Sequence, residues 1–225
     1  MSGGEWESEE SKPIAIKGRE VTSVKFVACE KWIVAGCASG IIYIYRYVPA
    51  EKNQVKKIQV LKGHSKSINH LTVHAPYVLS ASQDGKILIW RYGSEWELVK
   101  TCHAKSPVMH VAFNPQDINT FASAQDKTVK IWDLHSDNDC KLQLSGHSDL
   151  VVCLDYFSLG DKLYLITGSK DTTAKIWDFE MGCCIQTMEG HTDIVKVAYC
   201  HLDLPILITG SWDGSVRLWD STTFR

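Results

Sequence analysis

One segment decides the fold of this chain: Ser169-Lys170-Asp171-Thr172-Thr173-Ala174-Lys175-Ile176-Trp177. Its Asp and Trp stand six residues apart, and the same spacing recurs in the segments 82–90, 124–132 and 211–219. The Asp of the motif returns after 42, 45 and 42 residues, at Asp84, Asp126, Asp171 and Asp213. A motif repeated at so regular a period indicates an array of similar structural units.

A histidine precedes each motif. Three follow glycine, at His64, His147 and His191, whereas His103 follows Cys102. Trp-Asp closes three of the units, at 132–133, 177–178 and 219–220. A period of 40 to 45 residues with Gly-His near its start and Trp-Asp at its end resembles the WD-repeat family of β-propellers. The resemblance implies one blade of four short antiparallel strands for each repeat.

The residues between these landmarks alternate as in β-strands, for example at 68–73 and 195–199, and no helical pattern is found. In the fourth unit we predict strands at 151–156, 163–168, 174–177 and 185–188. A fainter first unit carries Ser39 at the Asp position and Tyr45 at the Trp position. The prediction is an all-β propeller at 12–225 with five repeats, about 18–56, 57–95, 96–138, 139–182 and 183–225, after an acidic disordered tail at 1–11.

Closure of the ring is left open by the sequence. The last repeat ends at Arg225 before a fourth strand is complete. The stretch 12–18 mirrors 57–63, the strand that precedes the second repeat, so residues 14–16 are a candidate for that strand. Five blades lie within the usual range of about four to eight, although these repeats look shaped for seven.

In WD-repeat proteins a His, a Ser or Thr, the Asp and the Trp form a hydrogen-bonded chain inside each blade, which we call the tetrad. In the third repeat the Ser lies three residues before the Asp instead of four, so one residue has been lost from that turn. Each link joins a good donor to a good acceptor. The matching residues are His64, Ser80, Asp84 and Trp90; His103, Ser123, Asp126 and Trp132; His147, Thr167, Asp171 and Trp177; and His191, Thr209, Asp213 and Trp219.

Composition excludes several classes of protein. The 225 residues carry a net charge of −2, and Glu5, Glu7, Glu9 and Glu10 concentrate acid at the start. A net charge this close to zero predicts no strongly basic surface of the kind that binds nucleic acid. No apolar run reaches the roughly 18 residues that span a bilayer, and the acidic start is unlike a signal peptide, so we expect a cytoplasmic or nuclear protein. The eight cysteines include no Cys-x-x-Cys pair, which argues against disulfides and zinc.

Catalysis is not expected. A residue type repeated in several blades holds the blades together, since catalysis needs one site. The fragments 147–149 and 191–193 look like parts of a hydrolytic triad, but the tetrad already uses each His. There is no Gly-x-Ser-x-Gly, no phosphate-binding Gly-rich loop and no His-Glu-x-x-His. We therefore predict no cofactor, no metal and no small-molecule substrate.

The loops add a narrower resemblance. The stretches 24–32, 114–123, 155–166 and 221–225 resemble the N-terminal propeller of coatomer β′ subunits, and the similarity extends over about 18–225. It implies a scaffold in the vesicle coat that returns cargo from Golgi to endoplasmic reticulum. Its partners would be coatomer subunits or peptide motifs, and it would meet the membrane only through the coat. Because the chains of that family are several times longer, the resemblance implies a truncated and divergent copy.

This chain differs from that family at the positions that would bind cargo. The resemblance implies acidic residues on the top face, the face that carries the His and Asp turns, for the two lysines of a dilysine signal. This chain has Lys66, Gln83 and Lys170 there, and it has Thr22 and Asn69 where basic residues receive the terminal carboxylate. Each such change is worth about 0.5 to 2 kcal/mol at a partly exposed site. We expect no binding of dilysine signals.

The top face has one aromatic candidate. Trp212 precedes Asp213 where the other repeats have polar residues, Gln83, Gln125 and Lys170. An exposed Trp beside Lys170 suits an acidic or aromatic peptide, and packing on the next loop is the alternative. Two further interpretations of the chain stay open, a stand-alone adaptor such as a ubiquitin-ligase substrate receptor and a truncated copy without activity.

Overall fold

The computed structural model describes residues 20–27, 30–48, 54–136, 140–201 and 204–224. These residues form 19 strands and no helix, in five antiparallel sheets that we number blades 1 to 5. The predicted acidic tail and the candidate closing strand at 14–16 lie outside the described residues. Blades 1 and 2 contain β1 (Val21–Val27), β2 (Trp32–Cys37), β3 (Ile41–Val48) and β4 (Gln54–Lys62); and β5 (Ile68–His74), β6 (Tyr77–Ser82), β7 (Lys86–Tyr92) and β8 (Trp96–His103).

The later blades follow the same plan. Blades 3 to 5 contain β9 (Val108–Phe113), β10 (Thr120–Gln125), β11 (Thr128–Asp133) and β12 (Leu142–Ser145); β13 (Val151–Leu159), β14 (Lys162–Ser169), β15 (Ala174–Asp178) and β16 (Cys183–Met188); and β17 (Val195–Cys200), β18 (Ile206–Ser211) and β19 (Val216–Asp220). The all-β prediction with five repeats is confirmed. Four blades have four strands, and blade 5 has three among its described residues. The four strands predicted in the fourth unit are β13 to β16, with ends shifted by up to three residues.

The first strand of each blade is its inner strand. In every inner strand the pairing register shifts between the first ladder pair and the next pair, which lies two residues further along the strand. In blades 2 and 4 the shift comes just before His70 and Cys153. A bulge strengthens the local twist of a strand. The inner strands of successive blades lie side by side from β1 through β5, β9 and β13 to β17, so the blades fan out from a common centre.

Each blade packs on the next through an apolar layer. Between blades 2 and 3, Leu79 and Ile89 of one sheet meet Val111, Phe121 and Trp132 of the other, and all five are buried. Equivalent layers join blades 1 and 2, 3 and 4, and 4 and 5. Because both faces of blades 2 to 4 are covered, their central strands are apolar almost throughout, as β14 shows.

The two ends of the array are exposed. On blade 5, Val216 and Leu218 are 69% and 66% exposed, whereas Ile87 and Ile89 at the same positions of blade 2 are 0% and 1% exposed. On blade 1, Phe26 is 58% exposed. The layer that joins successive blades is thus not formed between blade 5 and blade 1 by the described residues.

Candidate functional site

The tetrad of blade 4 is a chain of short hydrogen bonds through the blade. The indole N–H of Trp177 donates to Thr167 Oγ1 at 2.9 Å, and Thr167 Oγ1 lies 2.8 Å from Nε2 of His147. Nδ1 of His147 lies 2.7 Å from Asp171 Oδ2. With Nδ1 protonated and Nε2 accepting from the hydroxyl, a neutral imidazole satisfies every link. These hydrogen bonds connect the two central strands of the blade, β14 and β15, to the top-face turn.

The tetrads of blades 2 and 5 have the same geometry. In blade 2 the distances from Nε2 of His64 to Ser80 Oγ and from Nδ1 to Asp84 Oδ2 are 2.8 and 3.0 Å. In blade 5 both equivalent distances of His191 are 2.8 Å. The Trp bonds measure 3.1 Å for Trp90 and 2.9 Å for Trp219. Three of the four predicted sets are therefore brought together as tetrads.

Burial sets the charge state of these groups. It lowers the pKa of His64 and of His147 below the usual value, although the neighbouring Asp in each case works against it. Burial alone would raise the pKa of Asp171, but bonds from Thr173 and His147 outweigh it and lower the pKa to about 2. The tetrads of blades 2 and 4 are therefore each a neutral imidazole bonded to an ionised carboxylate near neutral pH. The residues hold a turn in place and leave no imidazole nitrogen free to act on a substrate.

Blade 3 departs from the prediction. The indole of Trp132 donates to Ser123 Oγ at 2.7 Å, but His103 is exposed at the end of β8 and, among the described residues, bonds neither Ser123 nor Asp126. Val108 follows the strand-paired Cys102 by six residues, whereas Val151 follows the equivalent Leu144 by seven. The buried position next to the sheet is taken by Ala104, which is 2% exposed. His103 is thus no tetrad member, because Ala104 holds the position four residues before the inner strand that His147 holds in blade 4.

The turn of blade 3 is also shorter. Gln125 pairs with Thr128, so Asp126 and Lys127 form a two-residue turn, and Asp126 has a φ of +48°. Ser123 pairs with Lys130 just as Thr167 pairs with Lys175, which confirms that one residue is missing after the Ser. The shortening leaves the Asp126 side chain exposed at the tip of the turn.

The candidate top-face residues do not form one pocket. Thr22, Lys66, Gln83 and Lys170 are exposed. Two others serve packing. Asn69 is half-buried and its Nδ2 donates to the Val108 carbonyl at 2.8 Å, and Gln125 is 2% exposed. The tight turn of blade 3 has drawn Gln125 inward.

Trp212 is a surface residue. Its side chain is 64% exposed, and the ammonium of Lys196 lies 5.3 Å from the ring centre. The predicted neighbour, Lys170, is replaced in this role by Lys196, because the inner strand of blade 5 runs beside the turn that carries Trp212. A cation over an exposed indole contributes about 0.5 to 1 kcal/mol.

Comparison with protein families agrees with this geometry. The family model for the WD domain, G-beta repeat, matches residues 12–46, 55–91, 96–133, 138–178 and 182–220. The chain belongs to the WD40 repeat family. The boundaries that we predicted for the repeats stay a prediction, since blade assignment depends on which strand is counted first.

Proteins similar to this WD40 chain include named coatomer subunits. It is 48% identical over 118 residues to coatomer subunit beta'-2 of Arabidopsis thaliana, a match that covers 52% of this chain and 13% of that protein. It is 40% identical over 131 residues to a probable coatomer subunit beta' of Schizosaccharomyces pombe, covering 57% and 16%. For coatomer subunit beta' of Rattus norvegicus the figures are 40% over 138 residues, 60% and 15%. The matches thus span a small part of each relative.

A second set of hydroxyls in the WD40 blades was missed by sequence reasoning. Ser169 Oγ donates to the Asp149 carbonyl at 3.0 Å and accepts from the Asp171 amide at 3.0 Å. Ser211 makes the same two bonds in blade 5, and in blade 2 Ser82 accepts from the Asp84 amide and lies within hydrogen-bond distance of the Lys66 and Ser67 carbonyls. A Ser two residues before each Asp was the available signal, and blade 3 has Ala124 there.

In the parts of the chain that the structure describes, no group of three or more His, Cys, Asp or Glu side chains has the arrangement of a metal site. None of the described residues belongs to a helix long and apolar enough to cross a membrane.

Proposed function

We propose that this WD40 chain is a non-catalytic protein-interaction scaffold of the coatomer β′ type, working in coat-vesicle transport between Golgi and endoplasmic reticulum. The observation that carries the proposal is the 48% identity to a protein named coatomer subunit beta'-2 over 52% of the chain. The stretches 24–32, 114–123, 155–166 and 221–225, which resemble the coatomer β′ propeller, are ones that the propeller fold does not dictate. In this role the chain binds other coat subunits and acts in the cytoplasm at the coat.

The state of the reactive groups supports a binding role. Each imidazole of a complete tetrad is used at both nitrogens. Burial raises the pKa of the Cys153 thiol to about 12, so this sulfur stays protonated and unreactive at neutral pH. Nucleophilic catalysis needs a free base beside an activated nucleophile. The tetrads and the buried thiol offer neither.

The proposal includes the loss of dilysine binding. Lys66 and Lys170 are exposed on the top face. A dilysine peptide carries two positive charges, and these two lysines would repel it. Together they are expected to weaken its binding by a few kcal/mol, or roughly a hundredfold. Of the remaining candidates, Asn69 is bonded to the next blade.

Isolation of the tagged chain from its own cells tests the coat role. We expect other coatomer subunits to co-purify in fixed proportion. Recovery of ubiquitin-ligase subunits instead would replace the proposal by the adaptor interpretation. Chaperones alone would indicate a copy without activity.

Calorimetric titration with a peptide ending in Lys-Lys-x-x tests the cargo claim separately. We expect no micromolar binding to the natural chain and a gain of at least about tenfold in the triple variant Lys66→Asp, Gln83→Asp, Lys170→Asp. A control of similar charge change is Lys57→Asp with Lys162→Asp, two exposed lysines away from the top face. Micromolar binding by the natural chain would overturn the claim and leave the coat role standing.

A further inference from the structure

A groove runs between successive blades on the face opposite the top face. Between blades 2 and 3 it is occupied by Lys100 of β8, which pairs with Ile89. The Lys100 ammonium donates to three backbone carbonyls of blade 3, those of Asp133 at 2.9 Å, Leu134 at 3.2 Å and Ser136 at 2.6 Å. This lysine saturates its three donors on the next blade and so closes the groove.

The same position between blades 1 and 2 is also polar. Gln59 of β4 pairs with Ile44, as Lys100 pairs with Ile89. Its amide donates to the Trp96 carbonyl at 2.9 Å and accepts from the Trp96 amide at 3.0 Å. Both grooves are thus bridged by a hydrogen-bonding side chain from the outer strand of the earlier blade.

Between blades 3 and 4 the described residues place no such bridge at this position of the outer strand. The residue opposite Ile131 is Leu142, which has no donor for the next blade. Phe179 stands two residues after Trp177, as Leu134 stands two after Trp132. The groove here is a cavity of about 560 Å³, against about 360 Å³ for the groove that Lys100 occupies. An apolar wall of Leu142, Leu163 and Phe179 therefore leads to the turn after Trp177. This turn is the counterpart in blade 4 of the blade 3 turn that receives Lys100.

The rim of this groove carries more acid than base. Asp117 and Glu180 line it together with Lys141. Asp117 is half-buried and one of its carboxylate oxygens accepts from the Asn119 amide at 3.0 Å. Behind the wall, the Tyr156 ring lies edge-on to Phe179 at 5.9 Å, and its buried hydroxyl has no partner among the described residues. The carboxylates of Asp117 and Glu180 at the rim are therefore the groups that a cationic occupant would pair with.

We propose that the groove between blades 3 and 4 takes a lysine side chain of a partner protein, which does there what Lys100 does one blade earlier. The aliphatic stem lies along Leu142, Leu163 and Phe179, and the ammonium meets the backbone of the turn after Trp177 and the carboxylates of Asp117 and Glu180. Stems of this kind bury well against apolar surface while the charge stays solvated or paired. The site is separate from the top-face candidates and does not depend on the coat role.

NMR titration of the full chain with the capped tripeptide acetyl-Ala-Lys-Ala-amide tests this site. We expect the amide signals of Phe179 and Glu180 to shift, and the isosteric norleucine tripeptide to bind at least about tenfold more weakly. Equal shifts with both peptides would show a merely apolar cleft and overturn the proposal.

Substitutions in the groove sharpen the test. Leu142→Lys supplies the bridge from within the chain, so we expect it to fold and to lose lysine-peptide binding by about tenfold or more. Leu98→Lys is the matched control, the same exchange at an exposed site of β8, and should bind as the natural chain does. If Leu142→Lys does not fold, Asp117→Asn with Glu180→Gln decides, since it keeps volume and should weaken binding about three- to tenfold. Unchanged binding in that double variant would contradict the proposal.

Discussion

Blades 3 and 4 are neighbours with the same four-stranded plan and different polar interiors. Their apolar residues are equally buried, with Trp132 and Trp177 each 1% exposed. Blade 4 links its Trp to a top-face turn through Thr167, His147 and Asp171, whereas blade 3 stops at Ser123. The strands of blade 3 form all the same. Apolar packing therefore builds a blade, and the His and Asp serve to fix its top-face turn.

Of the differences between the two blades, substitution of the turn Asp is expected to show the largest difference in stability. Asp171→Ala removes the partner of His147 and of the Ser148 amide, so we expect a loss of about 1 to 3 kcal/mol and a melting temperature lower by several degrees. Asp126→Asn is the control, because its side chain is exposed and Asn also tolerates the positive φ of this turn, and should stay within about 0.5 kcal/mol. Thermal melts followed by circular dichroism measure both. Equal losses would break the comparison.

Placing a histidine at the tetrad position of blade 3 should also lower the free energy of unfolding. Ala104 is 2% exposed in a connection one residue short, so Ala104→His overpacks the site and we expect a loss of about 1 to 3 kcal/mol. His103→Ala, at the exposed neighbour, should stay within about 0.5 kcal/mol. Chemical denaturation of the two variants measures this. A stable Ala104→His variant would mean that blade 3 has room for a tetrad after all.

Acid should weaken the tetrad of blade 4. The pKa of Asp171 is about 2 in the folded chain against 3.8 as the ordinary value, so its contribution is complete above pH 3.8 and is lost as pH falls toward 2. After allowance for solvent screening this amounts to about 1 kcal/mol. The lowered pKa of His147 adds a loss that begins below pH 6.5, where the unfolded chain takes up protons first. Melts from pH 7 to 2 should show a flatter slope for Asp171→Asn than for the natural chain, and equal slopes would contradict this prediction.

The smallest difference concerns the turn hydroxyls. Ser169→Ala removes a bond to the Asp149 carbonyl and one from the Asp171 amide, for an expected loss of about 0.5 to 1.5 kcal/mol. Ala124→Ser places a hydroxyl at the corresponding position of blade 3 and should add no stability, because the shortened turn changes the partners around it. Urea midpoints would resolve the two changes. A stabilised Ala124→Ser variant would show that the blade 3 turn keeps the ordinary geometry.

Much of the fold followed from local pattern. The strands of blade 4 and the tetrads of blades 2, 4 and 5 were predictable, because a fixed spacing between Asp and Trp fixes which residues face each other in a hairpin. His103 was not, since the deciding quantity is the length of a connection between two blades. The six-residue step from Cys102 to Val108 becomes visible once strand pairing is known.

The sequence by itself determined the number of repeats, their strand order and the residue types that close three turns, because each is encoded within one repeat. The tertiary structure alone decided that Gln125 is buried, that Trp212 meets Lys196, and that Leu142 leaves a groove where Lys100 fills one. These features arise where one blade lies against the next. Contacts between repeats depend on register and loop length together, and neither can be read from a single repeat.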